Sequence, residues 1–244
     1  MATRSEVLRE LGIAPLWRLR EPTRTDVPRG SENADEPGNG NRDRRLAHIA
    51  ALALDALADD VAQCRACGLC ATRKRTVPGV GAADAAWMFV GEAPGADEDA
   101  QGEPFVGAAA RLLDNMLAAL GLAREHGVFI ANVLKCRPPG NRTPAPLEVD
   151  ACRPYLDRQI ELVGPGLIVA LGRSAACTLL DVDAPVASLR NRVHRYRGRP
   201  LVVTYHPAYL LRTPADKRKA WEDLKYARSV YQQLTQGTAD GHRS

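Results

Sequence analysis

Four short apolar runs punctuate this chain, at residues 87–90, 128–134, 167–171 and 201–204. Each is too short and too continuous for an amphipathic helix, and reads as a strand buried on both faces. Between them, apolar residues recur at helical spacing over 108–120, 147–162 and 174–180, and a last helix is expected over about 215–234. Ahead of the first run, Leu46, Ile49, Ala50, Ala53, Leu54, Leu57 and Val61 repeat with the same period and lead into Cys64. Strands alternating with helices predict a three-layer α/β/α fold around a central, mainly parallel four-stranded sheet.

The pattern also divides the chain. Residues 1–20 carry Val7, Leu8, Leu11, Leu16 and Trp17, which predicts a short amphipathic helix suited to docking a protein partner. Residues 21–45 are Pro, Gly, Asn and mixed charges, a composition that buries too little surface to offset its ordering entropy. They are expected to form a disordered linker, followed by a folded domain over 46–235 and a disordered tail over 236–244.

Length and charge narrow the picture only a little. At 244 residues the chain holds one medium domain plus extras, and a net charge of +4 is too mild to name a partner by itself. No apolar run approaches a membrane span, and the N-terminus lacks the apolar core of a signal peptide. A cytoplasmic monomer is expected. In that compartment, cysteines signal metal binding or catalysis more often than disulfides.

Each predicted strand ends in chemically useful residues, and open α/β sheets bind ligands at the carboxyl ends of their strands. The first run stops at Gly91-Glu92, and glycine and proline breaks follow at Pro94-Gly95 and Gly102-Glu103-Pro104, ahead of Phe105 and Gly107. The second run contains Asn132, whose amide offers both a donor and an acceptor, as base recognition requires. The third gives Gly172-Arg173-Ser174, and the fourth runs into Thr204-Tyr205-His206-Pro207.

Charge placement says more than the total. No acid occurs between Ala184 and Ala215, a stretch holding Arg190, Arg192, Arg195, Arg197, Arg199 and Arg212. Lys135, Arg137, Arg142, Arg73, Lys74 and Arg75 flank the other strand ends. A positive rim around an acidic pocket fits a phosphate backbone held outside while chemistry occurs within. Tyr209-Leu210-Leu211 interrupts this basic stretch with apolar residues, as a wedge pushed between base steps would.

Six cysteines occur, at 64, 67, 70, 136, 152 and 177. Two thiolates from Cys64-Arg-Ala-Cys67, joined by Cys136 and Cys152, make an S4 set that suits either zinc or an iron–sulfur cluster; spacing does not decide between them. Cys70 is open, either an alternative ligand or a spare thiol, and Cys177 reads as core.

Taken together, CRACGLC, VPGVG, GEAPGADEDAQGEPFVG, NVLKCRPPGNRTP, ALG and TYHPAYLLRTPADKRKAWEDL resemble the family 4 uracil-DNA glycosylases, in the family's order and across most of the chain. The resemblance implies a DNA-repair enzyme that flips uracil out of single- or double-stranded DNA and hydrolyses its N-glycosidic bond. It implies a structural [4Fe–4S] cluster on Cys64, Cys67, Cys136 and Cys152, with Cys70 and Cys177 outside. It implies a uracil pocket of Gly91, Glu92, Ala93, Phe105, Asn132 and His206, with Glu92 and His206 catalytic and Glu98 excluding the thymine methyl. Arg137, Arg142, Leu210, Leu211 and Arg212 would meet the DNA. A related branch traps the abasic sugar covalently through a histidine in a basic loop. His194 occupies a comparable loop, but GEAPG and the shorter loop rank that reading second. A non-catalytic nucleic-acid-binding module with structural zinc is the reading from another class.

Overall fold

The computed structural model describes residues 39–124 and 126–240. The predicted amphipathic helix at 1–20, most of the 21–45 linker and the last residues of the tail lie outside the described residues. Helix α1 (Asn39–Ala51) begins ahead of the boundary expected at residue 46. Arg45 explains why ordered chain reaches into the expected linker: it lies over the Tyr155 ring at 5.2 Å and donates to the Ala151 carbonyl at 2.7 Å. After α2 (Leu54–Gln63) and a single helical turn at Gly68–Ala71, the chain enters the sheet.

The sheet holds β1 (Val80–Gly81), β2 (Trp87–Gly91), β3 (Val128–Asn132), β4 (Leu167–Leu171), β5 (His194–Tyr196) and β6 (Arg199–Thr204), in the order β1-β3-β2-β4-β6-β5. The four apolar runs are its parallel centre, with Gly91 opposite Asn132 and Leu171 opposite Thr204. The four-stranded expectation is corrected to six by two short antiparallel edges, β1 on β3 and β5 on β6. Neither edge carries a long apolar run, because an edge strand is only partly buried.

Helices cover both faces. Met88, Val90, Ala131, Ile168 and Val203 pack against α5 (Pro146–Val163), α6 (Gly172–Leu180) and α7 (Val186–Leu189). The alternate residues Trp87, Phe89, Ile130, Val169 and Val202 pack against α4 (Ala108–Ala119) and α9 (Lys217–Asp240). Two short helices, α3 (Ala96–Gln101) and α8 (Pro207–Arg212), follow the ends of β2 and β6. The α9 helix continues to Asp240, into the stretch expected as tail. Among the described residues, no helix is long and apolar enough to cross a membrane.

Candidate functional site

The carboxyl ends of β2, β3 and β6 open onto one cavity of about 580 Å³. Glu92, Ala93, Glu98, Phe105, Asn132, Arg142, His206 and Arg212 all line it. Parallel register brings them together, since Gly91 and Asn132 are directly paired at the ends of adjacent strands. Gly91 itself lies beneath the cavity. A Cβ there would collide with Asn132 Oδ1 and come within 2.9 Å of the Phe105 ring, so only glycine lets both side chains close over the strand end.

His206 has a defined tautomer. It caps α8, its Nδ1 accepting from the Ala208 amide at 3.1 Å, which leaves the proton of the neutral ring on Nε2. Burial, helped by the nearby Arg212 charge, holds its pKa down at about 4, so the imidazole stays neutral at physiological pH. Gly172, at φ +87°, makes room beside it; a Cβ there would stand 2.9 Å from His206 Cβ.

Phe105 stacks on His206, with ring centroids 5.4 Å apart and planes 26° from parallel. Its backbone is at φ 54°, an unfavourable region for a bulky aromatic residue. Arg124 holds it there, donating to the Pro104 carbonyl at 3.0 Å and the Phe105 carbonyl at 2.8 Å, while Asp114 anchors the guanidinium at 2.5 Å. Glu98 closes the same loop from the other side. Its two carboxylate oxygens accept from the Gly95 amide at 3.0 Å and the Val106 amide at 3.2 Å, so it fastens both ends of the glycine loop.

Glu92 is partly buried, and desolvation raises its pKa; a hydrogen bond from the Ser174 side chain works in the opposite direction, favouring the carboxylate. Asn132 is 2% exposed. Its carbonyl accepts from the ammonium of the buried Lys135 at 2.8 Å, and Lys135 also donates to Gln159 Oε1 at 2.6 Å. Gln159 in turn donates to the Pro78 carbonyl at 2.7 Å.

The basic rim is thinner than the sequence pattern suggests. Lys135 is buried, Arg190 turns inward to Asp223 at 2.7 Å, and Arg73 donates to the Cys136 sulfur at 3.2 Å. Arg142 is exposed but held by Glu148 through both carboxylate oxygens, Arg137 donates to Asn141 at 2.7 Å, and Arg212 is exposed at the cavity edge. Leu210 corrects the wedge expectation. It is 1% exposed, because residues 207–212 form a helix that turns Pro207 and Leu210 inward, leaving Leu211 exposed at 42%. His194 does not line the cavity. Its ring nitrogen pairs with the Leu189 carbonyl at 2.9 Å, and its register partner Leu201 lies upstream of the strand end that carries His206.

A second, much smaller cavity, of about 20 Å³, is lined by Cys64, Cys67, Cys70, Cys136 and Cys152. Nitrogen donors surround the sulfurs: Arg73 at Cys136, and the Lys135 amide at Cys152, 3.2 Å away. Burial raises the pKa of Cys67, Cys136 and Cys152, the last to about 12. Among the described residues, no three His, Cys, Asp or Glu side chains are grouped so as to share one metal ion. Cys177 stands apart, donating to the Ala184 carbonyl at 3.3 Å.

Sequence reasoning missed Arg124 and Gln159, which act on the backbone of distant loops and left no signal; it placed Gly172 and Ser174 at the end of the third strand without giving them these roles.

A cavity at the end of a mainly parallel sheet, furnished with an amide, a neutral histidine, a carboxylate and an aromatic platform, offers the hydrogen-bonding edge and stacking surface that a planar polar ring requires. The chain belongs to the uracil-DNA glycosylase superfamily: the profile described as "Uracil DNA glycosylase superfamily" matches residues 78–225. Within it, the chain is 46% identical over 180 residues to the type-4 uracil-DNA glycosylase of Archaeoglobus fulgidus, covering 70% of this chain and 90% of that protein. It is 41% identical to the type-4 enzyme of Thermotoga maritima, over 72% of this chain and 93% of that protein. The type-5 enzyme of Pyrobaculum aerophilum is 35% identical over a shorter stretch, 56% of this chain.

Proposed function

We propose that this protein is a type-4 uracil-DNA glycosylase, a monofunctional hydrolase that removes uracil from DNA and leaves an abasic site. The observation that carries the reading is the convergence of Glu92, Phe105, Asn132 and His206 on one cavity, with the His206 proton assigned to Nε2. Support comes also from the type-4 relatives, which match over most of the chain. We read the protein as a cytoplasmic monomer, a reducing setting that suits thiolate ligands. The segment before residue 39 we read as a tether or docking arm for a protein partner.

The N-glycosidic bond is out of reach inside a duplex, so the nucleotide must leave the stack at a cost of a few kcal/mol. Phe105 replaces part of the lost stacking, worth about 1–3 kcal/mol for a base on an aromatic ring. Leu211 fills the space left behind, and Arg137, Arg142 and Arg212 meet phosphates. Asn132 pairs with uracil N3–H and O4, whereas cytosine presents an unprotonated N3 and an amino group, leaving the buried amide mispaired.

As the bond breaks, negative charge grows on uracil O2 and positive charge on the sugar. His206 donates its Nε2–H to O2; being already neutral, it holds the developing anion without surrendering a proton, and such a donor in a dry site contributes roughly 3 kcal/mol. Glu92 stabilises the cationic sugar and orients water, with the Ser174 hydrogen bond helping it to remain a carboxylate. Ala93 leaves the pocket floor free of side-chain bulk. Glu98, with both oxygens on loop amides, excludes the thymine methyl indirectly, by fixing the loop that carries Phe105.

The cysteine cavity fits a [4Fe–4S] cluster on Cys64, Cys67, Cys136 and Cys152. Donors aimed at the sulfurs favour thiolates, and buried thiolates require a metal to offset their desolvation. Four cysteines lining one cavity suit a cluster, which gives each thiolate its own iron. When bound, the cluster supplies a structural cross-link between the loop after α2, the end of β3 and α5.

The test is incubation with an oligonucleotide holding one uracil, followed by alkali. Scission at the uracil, strongly slowed in Asn132→Ala and His206→Ala, is expected; intact oligonucleotide with the wild-type protein would refute the reading.

A further inference from the structure

Lys135 is 1% exposed, and among the described residues its ammonium makes hydrogen bonds only to neutral acceptors, the Asn132 carbonyl and Gln159 Oε1. Among the described residues, the ionisable side chain that acts on it is the Cys152 thiol. Buried cations are rare unless an anion offsets them, since desolvating an unpaired ammonium costs several kcal/mol. The backbone of the same residue holds the cysteine site, its amide donating to Cys152 Sγ at 3.2 Å, and its carbonyl accepts from the Val77 amide at 2.8 Å. One residue therefore touches a cluster ligand with its backbone and the base-reading asparagine with its side chain.

We infer that Lys135 is a positioning residue that couples the two sites: its ammonium is the buried counter-charge of the cysteine-held group and the strut that fixes the Asn132 end of β3. The inference rests on the cluster assigned above. Four thiolates leave such a cluster a net anion, which supplies the charge that the protein atoms around Lys135 lack. Gln159 is the second member of the strut; bonded to Lys135 on one side and to the Pro78 carbonyl on the other, it ties the loop before β1 into the same unit. Loss of the anion leaves an uncompensated cation beneath Asn132, and loss of the cation leaves both the cluster and the base pocket without their common support.

The experiment compares wild-type holoprotein with Lys135→Met, Lys135→Arg and Gln159→Leu, reading visible absorbance, cluster reduction potential and the Kd for free uracil. Lys135→Met should shift the potential to a more negative value, because a nearby cation stabilises the more reduced, more anionic cluster. It should also weaken uracil binding by on the order of ten- to a hundredfold, the usual effect of removing a group that orients a ligand. Lys135→Arg should restore the potential but not the uracil affinity, since the planar guanidinium keeps the charge and not the fit. Gln159→Leu should keep the potential and lose affinity, less than Lys135→Met does.

A loaded Lys135→Met protein with wild-type potential and wild-type uracil affinity overturns the inference. Should that variant fail to accumulate as holoprotein, wild-type uracil affinity in Gln159→Leu overturns the strut, and a displaced potential in Lys135→Arg overturns the counter-charge. A colourless wild-type protein, read before any variant, overturns the cluster assignment itself and the counter-charge with it.

Discussion

The base cavity and the cysteine cavity lie on either side of Lys135 and are held in opposite ways. Around the base cavity the protein satisfies its own polar groups: His206 bonds the Ala208 amide, Glu98 bonds two loop amides, and Arg124 fixes the Phe105 backbone. Its geometry is complete before a ligand arrives, which is how a site avoids reorganisation at the moment of reaction. Around the cysteine cavity the protein alone leaves a deficit, with buried and half-buried cysteines, donors aimed at two of their sulfurs and a buried ammonium without a carboxylate partner among the described residues. On the proposed reading, the first region is preorganised for a substrate and the second is completed by a bound cluster. Variants in the second should therefore act on folding and variants in the first on chemistry.

The largest effect is expected at the cysteines. Cys136→Ala or Cys152→Ala should abolish the visible absorbance and lower the melting temperature sharply, because ligand binding in such a site is folding energy. A colourless variant that melts like wild type would break the comparison. Next, His206→Ala should cut single-turnover excision by about 10²–10³-fold while the absorbance and melting temperature stay near wild type.

The site also predicts a pH signature. Burial and Arg212 hold His206 at about 4, against an ordinary value of 6.5, so the unfolded chain binds a proton between those values that the fold refuses. His206 therefore leaves stability unpenalised above about pH 6.5, and stability is lost progressively as pH falls toward 4, levelling below it. Denaturant melts of His206→Gln should be flatter across that window than those of wild type; parallel curves would place the proton elsewhere.

Smaller effects sharpen the picture of the base cavity. Phe105→Ala should weaken uracil binding by about ten- to a hundredfold, in line with about 1–3 kcal/mol of stacking. Leu211→Ala should slow excision from duplex DNA by up to roughly tenfold and leave single-stranded substrate nearly unchanged, since only a duplex has a stack to refill. Equal losses on both substrates would remove the wedge role, which the buried Leu210 cannot take up.

What the sequence made legible follows the same division. The parallel strands were visible because burial on both faces writes a continuous apolar run, and parallel register then brings their ends to one edge. The edge strands at Val80–Gly81 and His194–Tyr196 left no such run. Glu92, Asn132 and His206 were legible as polar residues at apolar strand ends. Arg124 and Gln159 were not, because each works through a backbone carbonyl brought close only by the fold. The arginines misled for a related reason: charge in a sequence does not say which way it faces, and Arg190 and Arg73 face inward.

The central claim is that the cavity at the ends of β2, β3 and β6 reads the pairing edge of an extruded base and holds the charge that develops as the base departs. Single-turnover excision on three oligonucleotides, identical except for uracil, cytosine or thymine at one position, tests it most directly. The account predicts rapid release of uracil and rates for cytosine and thymine lower by about 10⁴-fold or more. Comparable release of all three bases, or none of uracil, would contradict it.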